Sequence, residues 1–211
     1  MNARRFKQVE GQHYNHLTIS SLVTNSATIR IVLTLMVMTS MLAHVMDVKG
    51  AFLHGEFEDG EVIHMKVPQG FKKHFPEGSV LLLKKCLYGL KQAPKAFWRQ
   101  LLHAASAMGL KQSMADPCLY YKWVNGRLVM MMSWIDDNAI VGQESDVIDL
   151  KKTLINQFEC KECGPMDEYV GCTIEKLETG GIKFLQKVLL QSYRDELDIG
   201  NLKKFSTPAA P

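Results

Sequence analysis

Apolar residues in this chain follow two different periods, and the switches between them mark its elements. From about residue 26 to residue 44 they recur at helical spacing, which predicts a helix followed by a short strand ending at Asp47. Within that stretch, Ile31 to Met46 is almost uncharged and rich in methionine. It is shorter than the roughly 20 residues a bilayer requires. Thr34, Thr39 and Ser40 interrupt it, so it reads as a buried helix feeding a strand, not a membrane span. Val62 to Val67 and Val80 to Lys84 predict strands separated by Gly/Pro turns. Pro94 to Met108 carries Phe97, Leu101, Leu102 and Ala105 at helical spacing, with Gly109 as a stop. Tyr120–Val124 and Arg127–Ile135 predict strands around Asn125-Gly126, a strong hairpin signal. Asp146 to Phe158 predicts a helix. Tyr169–Glu175 and Ile182–Leu185 predict a small hairpin about Thr179-Gly180-Gly181, and Gln186 to Leu197 a last helix. Residues 1–25 are polar and irregular. Antiparallel hairpins with irregularly interspersed helices place the chain in the α+β class, not among doubly wound sheets.

One hairpin stands out chemically. The apolar run Leu128 to Ile135 ends in Asp136-Asp137, and Asn138 to Gly142 carries the chain away again. A third carboxylate, Asp47, ends the apolar stretch far upstream. An Asp-Asp pair is commonly a solvated turn. This one abuts a long apolar strand and lacks the Asn-Gly or Asp-Gly chemistry of ordinary two-residue turns. Three carboxylates at the ends of buried strands are costly unless a cation sits among them. Hard divalent ions such as magnesium suit oxygen donors, and a pair of them supports phosphoryl transfer.

Composition narrows the setting. The 211 residues suffice for one domain, or one and a half. A net charge of +3 is mild for a nucleic-acid binder, so any basic groove must be local and offset by the acidic site. Five cysteines with no signal peptide point to a reducing compartment. Cys160-Lys161-Glu162-Cys163 is a lone C-x-x-C without a second pair at zinc spacing, and reads as a surface turn.

Six motifs in a fixed order add a family. Asp47-Val48-Lys49-Gly50-Ala51-Phe52-Leu53-His54-Gly55 resembles a D-V-K-x-A-F-L-x-G motif, and Val67-Pro68-Gln69-Gly70-Phe71 resembles Q-P-x-G-F. Leu87-Tyr88-Gly89-Leu90-Lys91-Gln92-Ala93-Pro94-Lys95-Ala96-Phe97-Trp98 resembles L-Y-G-L-K-Q-A-P-R-A-W. Asp116-Pro117-Cys118-Leu119-Tyr120 matches D-P-C-L-Y, Trp134-Ile135-Asp136-Asp137 resembles Y-V-D-D, and Ser206-Thr207-Pro208 matches a terminal S-T-P. Together they are similar to copia-type retrotransposon reverse transcriptases, one piece of a Gag-Pol polyprotein.

That resemblance implies a reverse-transcriptase palm whose antiparallel sheet packs on helices, with partial fingers and a partial thumb. Residues 1–45 would be reduced fingers and a lead-in helix, 46–160 the palm with a fingers segment, and 161–211 the palm end and partial thumb. It implies catalytic, metal-binding roles for Asp47, Asp136 and Asp137, holding two magnesium ions or manganese in their place. It implies nucleotide contacts from Gly50, Ala51, Phe52, Tyr88 and Gly89. Phe52 would stand under the sugar and exclude a 2′-hydroxyl. Lys91, Gln92, Pro94, Lys95, Arg99 and Trp134 would meet template and primer. The implied partners are an RNA template, a DNA primer, deoxynucleoside triphosphates and the remaining polyprotein, RNase H and integrase included, with no membrane. The implied setting is the cytoplasm, inside a virus-like particle for an intact element.

The chain also departs from the pattern. Ala3-Arg4 fits the family's opening K-A-R-L-V-A-K-G, but Arg5-Phe6-Lys7-Gln8 follows with residues missing, leaving Arg4, Arg5 and Lys7 as candidate fingers cations. Trp134 replaces a tyrosine, Asn138 an apolar residue and Ser21 a proline. No RNase H, integrase, protease or capsid segment is present in these 211 residues. A second reading follows from these departures: a catalytically inactive retrotransposon remnant, at most a nucleic-acid-binding protein.

Overall fold

A computed structural model describes residues 8–15 and 22–198. Arg4, Arg5, Lys7, Ser21 and the Ser206-Thr207-Pro208 motif lie outside the described residues. The chain divides into two compact units, Met1–Pro165 and Met166–Pro211. The architecture is mixed α and β with antiparallel sheets, as the alternation of periods predicts.

The first unit is built on β1 (Leu42–Val48), β4 (Lys111–Gln112), β5 (Leu119–Val124), β6 (Arg127–Trp134), β7 (Asp137–Gly142) and β8 (Cys160–Pro165). They form one sheet in the order β4-β5-β6-β7-β1-β8, with every neighbouring pair antiparallel. Side chains alternate across such a sheet. Met46, Val48, Val129, Met131 and Ile140 share one face. There they pack on Phe97, Leu101, Ala104 and Ala105 of helix α3 (Ala93–Ala107) and on Val147, Leu150 and Leu154 of helix α4 (Glu144–Gln157). Residues of the opposite parity, Met130, Met132, Ala139 and Val141, are also buried and absent from that core. Helix α1 (Ser26–Thr39) packs against β7 and buries Ile29, Val32, Leu33 and Met36.

A second core links the loop after β1 to α3. Helix α2 (Ala51–His54) is a single turn. It precedes a two-stranded ribbon of β2 (His64–Lys66) and β3 (Val80–Leu82), whose connection holds a 3-10 helix over Gln69–His74. Ile63, Cys86, Leu90, Ala93 and Ala96 form this core, with Phe52, Phe57, Leu83 and Leu87 against it. Gly55 lets the α2 segment lie on α3, since a Cβ there would stand 2.9 Å from Ala96 Cβ and 3.1 Å from the Phe97 backbone nitrogen.

The second unit contains β9 (Glu168–Tyr169), β10 (Cys172–Lys176) and β11 (Ile182–Leu185), in the order β11-β10-β9, and helix α5 (Lys187–Glu196). The Leu177 N–H donates to Gly181 O at 2.8 Å, closing the hairpin expected about Thr179-Gly180-Gly181. Among the described residues no helix is long and apolar enough to cross a membrane.

Three expectations are corrected. The helix expected over 26–44 stops at Thr39. Ser40 turns left-handed (φ 52°) with its N–H on Met36 O, and the next residues join β1. Thr39 and Ser40 mark the break, but apolar residues continue on both sides of it, Val37 and Met38 exposed on α1 and Leu42, Ala43 and Val45 on β1, so two polar residues do not read as an end. The C-x-x-C segment expected as a turn is the edge strand β8, paired with β1 from Val48↔Cys160 to His44↔Pro165. Its side chains are mostly exposed, so backbone pairing rather than apolar burial makes it a strand. Finally, the hairpin tip is Ile135-Asp136, because Trp134 pairs directly with Asp137.

Candidate active site

The three carboxylates meet where β1, β6 and β7 end together. Asp47 pairs in register with Asp137 across β1 and β7, so their side chains leave the same face of the sheet. Asp136 sits in the turn between. The Val48 N–H donates to its carbonyl at 2.9 Å, and Asn138 Nδ2 donates to the same oxygen at 3.1 Å. The first of these bonds ties the tip to β1 and the second braces it against β7. They also give Asn138, fully buried, a job that an apolar residue could not do. Ile135 is held at φ 55°, an uncommon backbone for a β-branched residue. Such conformations cost about 1–3 kcal/mol and persist where surrounding structure enforces them.

The electrostatics are those of a site short of positive charge. Burial raises the Asp136 pKa above the ordinary carboxylate range, and the charges of Asp47 and Asp137 raise it further, while the Tyr88 hydroxyl opposes them. Asp137 is raised by burial and then by Asp47. Asp136 Oδ1 is buried and accepts no hydrogen bond. Lys161 stands opposite Asp47 on β8, yet the two form no ion pair. Among the described residues no group of three or more His, Cys, Asp or Glu side chains is closed up into a ready-made cation cage.

The other expected residues fall into two groups. Gly50 (φ 62°) ends the loop after β1, and Ala51 opens α2 fully buried. Phe52 stacks on Tyr88 with ring centroids 4.8 Å apart, and Gly89 turns at φ 90° just beyond. Of these five, Tyr88 is the one brought to the carboxylates: its hydroxyl interacts with Asp136 and with the Phe52 backbone, while Ala51 is spent in the core. Trp134 pairs with Asp137 at the base of the hairpin turn.

The expected template contacts are more engaged than a solvated basic helix face. Lys91 Nζ lies 3.8 Å from the Tyr14 ring centroid and bonds the Tyr14 hydroxyl. Gln92 is buried, donating to His13 O at 3.1 Å and to Glu61 Oε1 at 2.8 Å. Pro94 occupies the first turn of α3, where its missing N–H costs nothing. Lys95 Nζ is 3.2 Å from Glu58 Oε1, and Arg99 binds the same carboxylate as well as Glu56 O at 3.1 Å. Glu58 was not singled out from the sequence. Its only signal is the acidic run Glu56 to Glu61, with no hint of which cations it would meet.

Asp116, quoted above only within a motif, is 1% exposed. Its carboxylate accepts from the Asn25 N–H at 2.8 Å, the Thr28 hydroxyl at 2.6 Å and the Cys118 N–H at 2.9 Å. It thereby caps α1, whose N-cap residue Asn25 makes no side-chain cap of its own. Burial pushes the Cys86 thiol up to about 12 and those of Cys118 and Cys160 to about 11, so these sulfurs are inert packing groups.

A family model described as reverse transcriptase (RNA-dependent DNA polymerase) matches residues 1–211. The chain belongs to this family. Its curated relatives include the retrovirus-related Pol polyprotein from transposon TNT 1-94 of Nicotiana tabacum, 31% identical over 97% of this chain. The corresponding polyproteins from transposons RE1 and RE2 of Arabidopsis thaliana are 29% identical over 99% and 31% identical over 84% of the chain. These relatives place this reverse transcriptase with the copia type. The chain spans only 15%, 14% and 12% of the three relatives' lengths. No solved structure matches.

Proposed function

We propose that this reverse transcriptase domain extends a DNA primer on an RNA template by two-metal nucleotidyl transfer. The observation that carries the reading is the junction of Asp47, Asp136 and Asp137: two carboxylates in direct register, the third between them with a buried oxygen that has no partner. The donor set fits magnesium or manganese in kind, being hard oxygen only. Magnesium uses one or two carboxylates together with waters and substrate phosphates, so a closed protein cage is not required of the chain. When bound, two such ions supply the positive charge that the attacking 3′-oxygen and the leaving pyrophosphate need in the transition state.

The chain's own residues do the rest. Asp47 and Asp136 would hold the ions, with Asp137 as the weaker ligand. The fixed carbonyl of Asp136 limits where its side chain can point. The backbone amides after Asp47 face the triphosphate, because the small residues Gly50 and Ala51 let the main chain come close. Phe52, backed by Tyr88, stands under the sugar and selects deoxynucleotides by steric exclusion. Trp134 abuts the primer end. In this reading residues 46–160 are palm with a fingers segment, 1–45 reduced fingers and lead-in helix, and 161–211 palm end and partial thumb. Lys91, Gln92, Pro94, Lys95 and Arg99 then order the template side, with Glu58 yielding to phosphate. The larger polyprotein would supply RNase H and integrase, in cytoplasmic virus-like particles.

Primer extension by purified protein on an RNA template tests this. The expected result is extension with magnesium or manganese in the parent and none in Asp136→Asn. A folded parent inactive with both ions overturns the polymerase reading.

A further inference from the structure

Among the described residues, the segment of the β2–β3 ribbon gathers positive charge with little to compensate it. Between His64 and Lys85 stand Lys66, Lys72, Lys73, Lys84 and Lys85 against the single acid Glu77. Five positive charges less one negative give this segment +4, more than the +3 of the whole chain. Lys85 lies 3.8 Å from Glu56, but among the described residues the other four form no ion pair. The contrast with α3 is direct, since Lys95 and Arg99 already share Glu58.

Aromatic rings are interleaved with these cations. Phe71 is 52% exposed and Phe75 40% exposed, flanking Lys72, Lys73 and His74 in and after the 3-10 turn. On the ribbon itself His64 pairs with Leu82 and Lys66 with Val80, all four exposed on one face. Neither the proposed chemistry nor the packing of the sheet explains why a short ribbon should hold two phenylalanines in water beside unpaired lysines.

We propose that the ribbon and its 3-10 turn form a second nucleic-acid contact, a docking arm for single-stranded DNA or RNA. Lysines without partners meet the phosphates, and Phe71 and Phe75 receive unstacked bases. Such rings serve any base, because every base has a π face, whereas a duplex keeps its faces stacked and hidden. The inference rests on the nucleic-acid reading above but requires no catalysis.

The test is fluorescence anisotropy of the full chain with labelled oligothymidylate and oligouridylate over a range of salt concentrations. Lys72→Ala/Lys73→Ala should flatten the logarithmic salt slope by roughly 1.4, at about 0.7 for each phosphate contact on a single strand. Phe71→Ala/Phe75→Ala should weaken binding on the order of tenfold for each ring while leaving the salt slope unchanged. All four positions are exposed, and circular dichroism with a melting curve verifies folding. Parent-like binding by both variants sinks this inference while leaving the polymerase reading intact. A parent that binds no nucleic acid, single-stranded or primer–template, sinks both. Binding to phosphatidylserine vesicles or polyglutamate with the same loss on Phe71→Ala/Phe75→Ala, and none on the oligonucleotides, assigns the arm to another partner and also overturns it.

Discussion

Asp136→Asn should make the apo protein more stable while destroying its chemistry. The substitution keeps the side chain's shape and removes its charge. Pairing in register sets the Asp47 and Asp137 backbones about 5 Å apart, and Asp136 adjoins them. Two unit charges at roughly 5 Å repel by about 0.8 kcal/mol at the dielectric of water and about 3 kcal/mol at an effective value of 20. The carboxylates are only half-buried, so solvent screening favours the lower end, near 1 kcal/mol. For a chain of this size that is a rise in Tm of about 2–4 °C at neutral pH in chelator. The sign with pH follows from the direction of the shift. The folded-state pKa of Asp136 is raised, so protonation favours the fold, and that stability is lost as pH rises through the raised value. Parent and variant should therefore converge as pH falls toward about 4. Divalent ion should reverse the order. At ten times its Kd, magnesium adds about 1.4 kcal/mol to a protein that binds it only when folded. The parent should gain that and the variant much less. Calorimetry across pH, with and without magnesium, measures all of it. A variant that melts below the parent at neutral pH in chelator refutes the argument from charge repulsion.

Three other substitutions probe separate parts of the structure. Phe52→Val should raise ribonucleotide incorporation about tenfold or more relative to deoxynucleotides; unchanged selectivity in an active variant would return Phe52 to a packing role against Tyr88. Gly55→Ala should cost about 1–3 kcal/mol by forcing α2 off Ala96, as read by chemical denaturation, and parent-like stability would mean the contact relaxes freely. Asp116→Ala should cost about 2–3 kcal/mol and speed amide exchange in the first turns of α1, since two backbone donors and one hydroxyl lose their acceptor. Unaltered exchange there would show that α1 does not need this cap.

Much of the fold was legible because burial on one face leaves a period. α3 shows it, with Phe97, Leu101 and Ala105 on the core side, and so does the β5–β6 hairpin, whose turn carries Asn125-Gly126. Elements apolar on both sides, or on neither, leave a blurred one or none. α1 and β1 merged into one apolar run because α1 places apolar residues all round and β1 is covered on both faces. β8 went unread for the opposite reason: a polar edge strand is held by the backbone of β1, and that bond pattern has no residue code.

The site shows the same division. Asp47, Asp136 and Asp137 could be marked because carboxylates at the ends of apolar strands are chemically anomalous wherever they occur. Their register could not, since the pairing of Asp47 with Asp137 depends on two strands about 90 residues apart in the chain. Charge was the least legible property. Lys95 and Arg99 looked free from the sequence, but folding brings Glu58 across 41 residues to Arg99 and so spends their charge internally. Lys66, Lys72, Lys73 and Lys84 were not singled out, and folding leaves them around a short ribbon with one acid among them. A mild net charge therefore says little about where a polyanion would settle. What decides it is which cations the fold has already paired: among the described residues Lys95 and Arg99 share Glu58, whereas Lys66, Lys72, Lys73 and Lys84 around the β2–β3 ribbon form no ion pair.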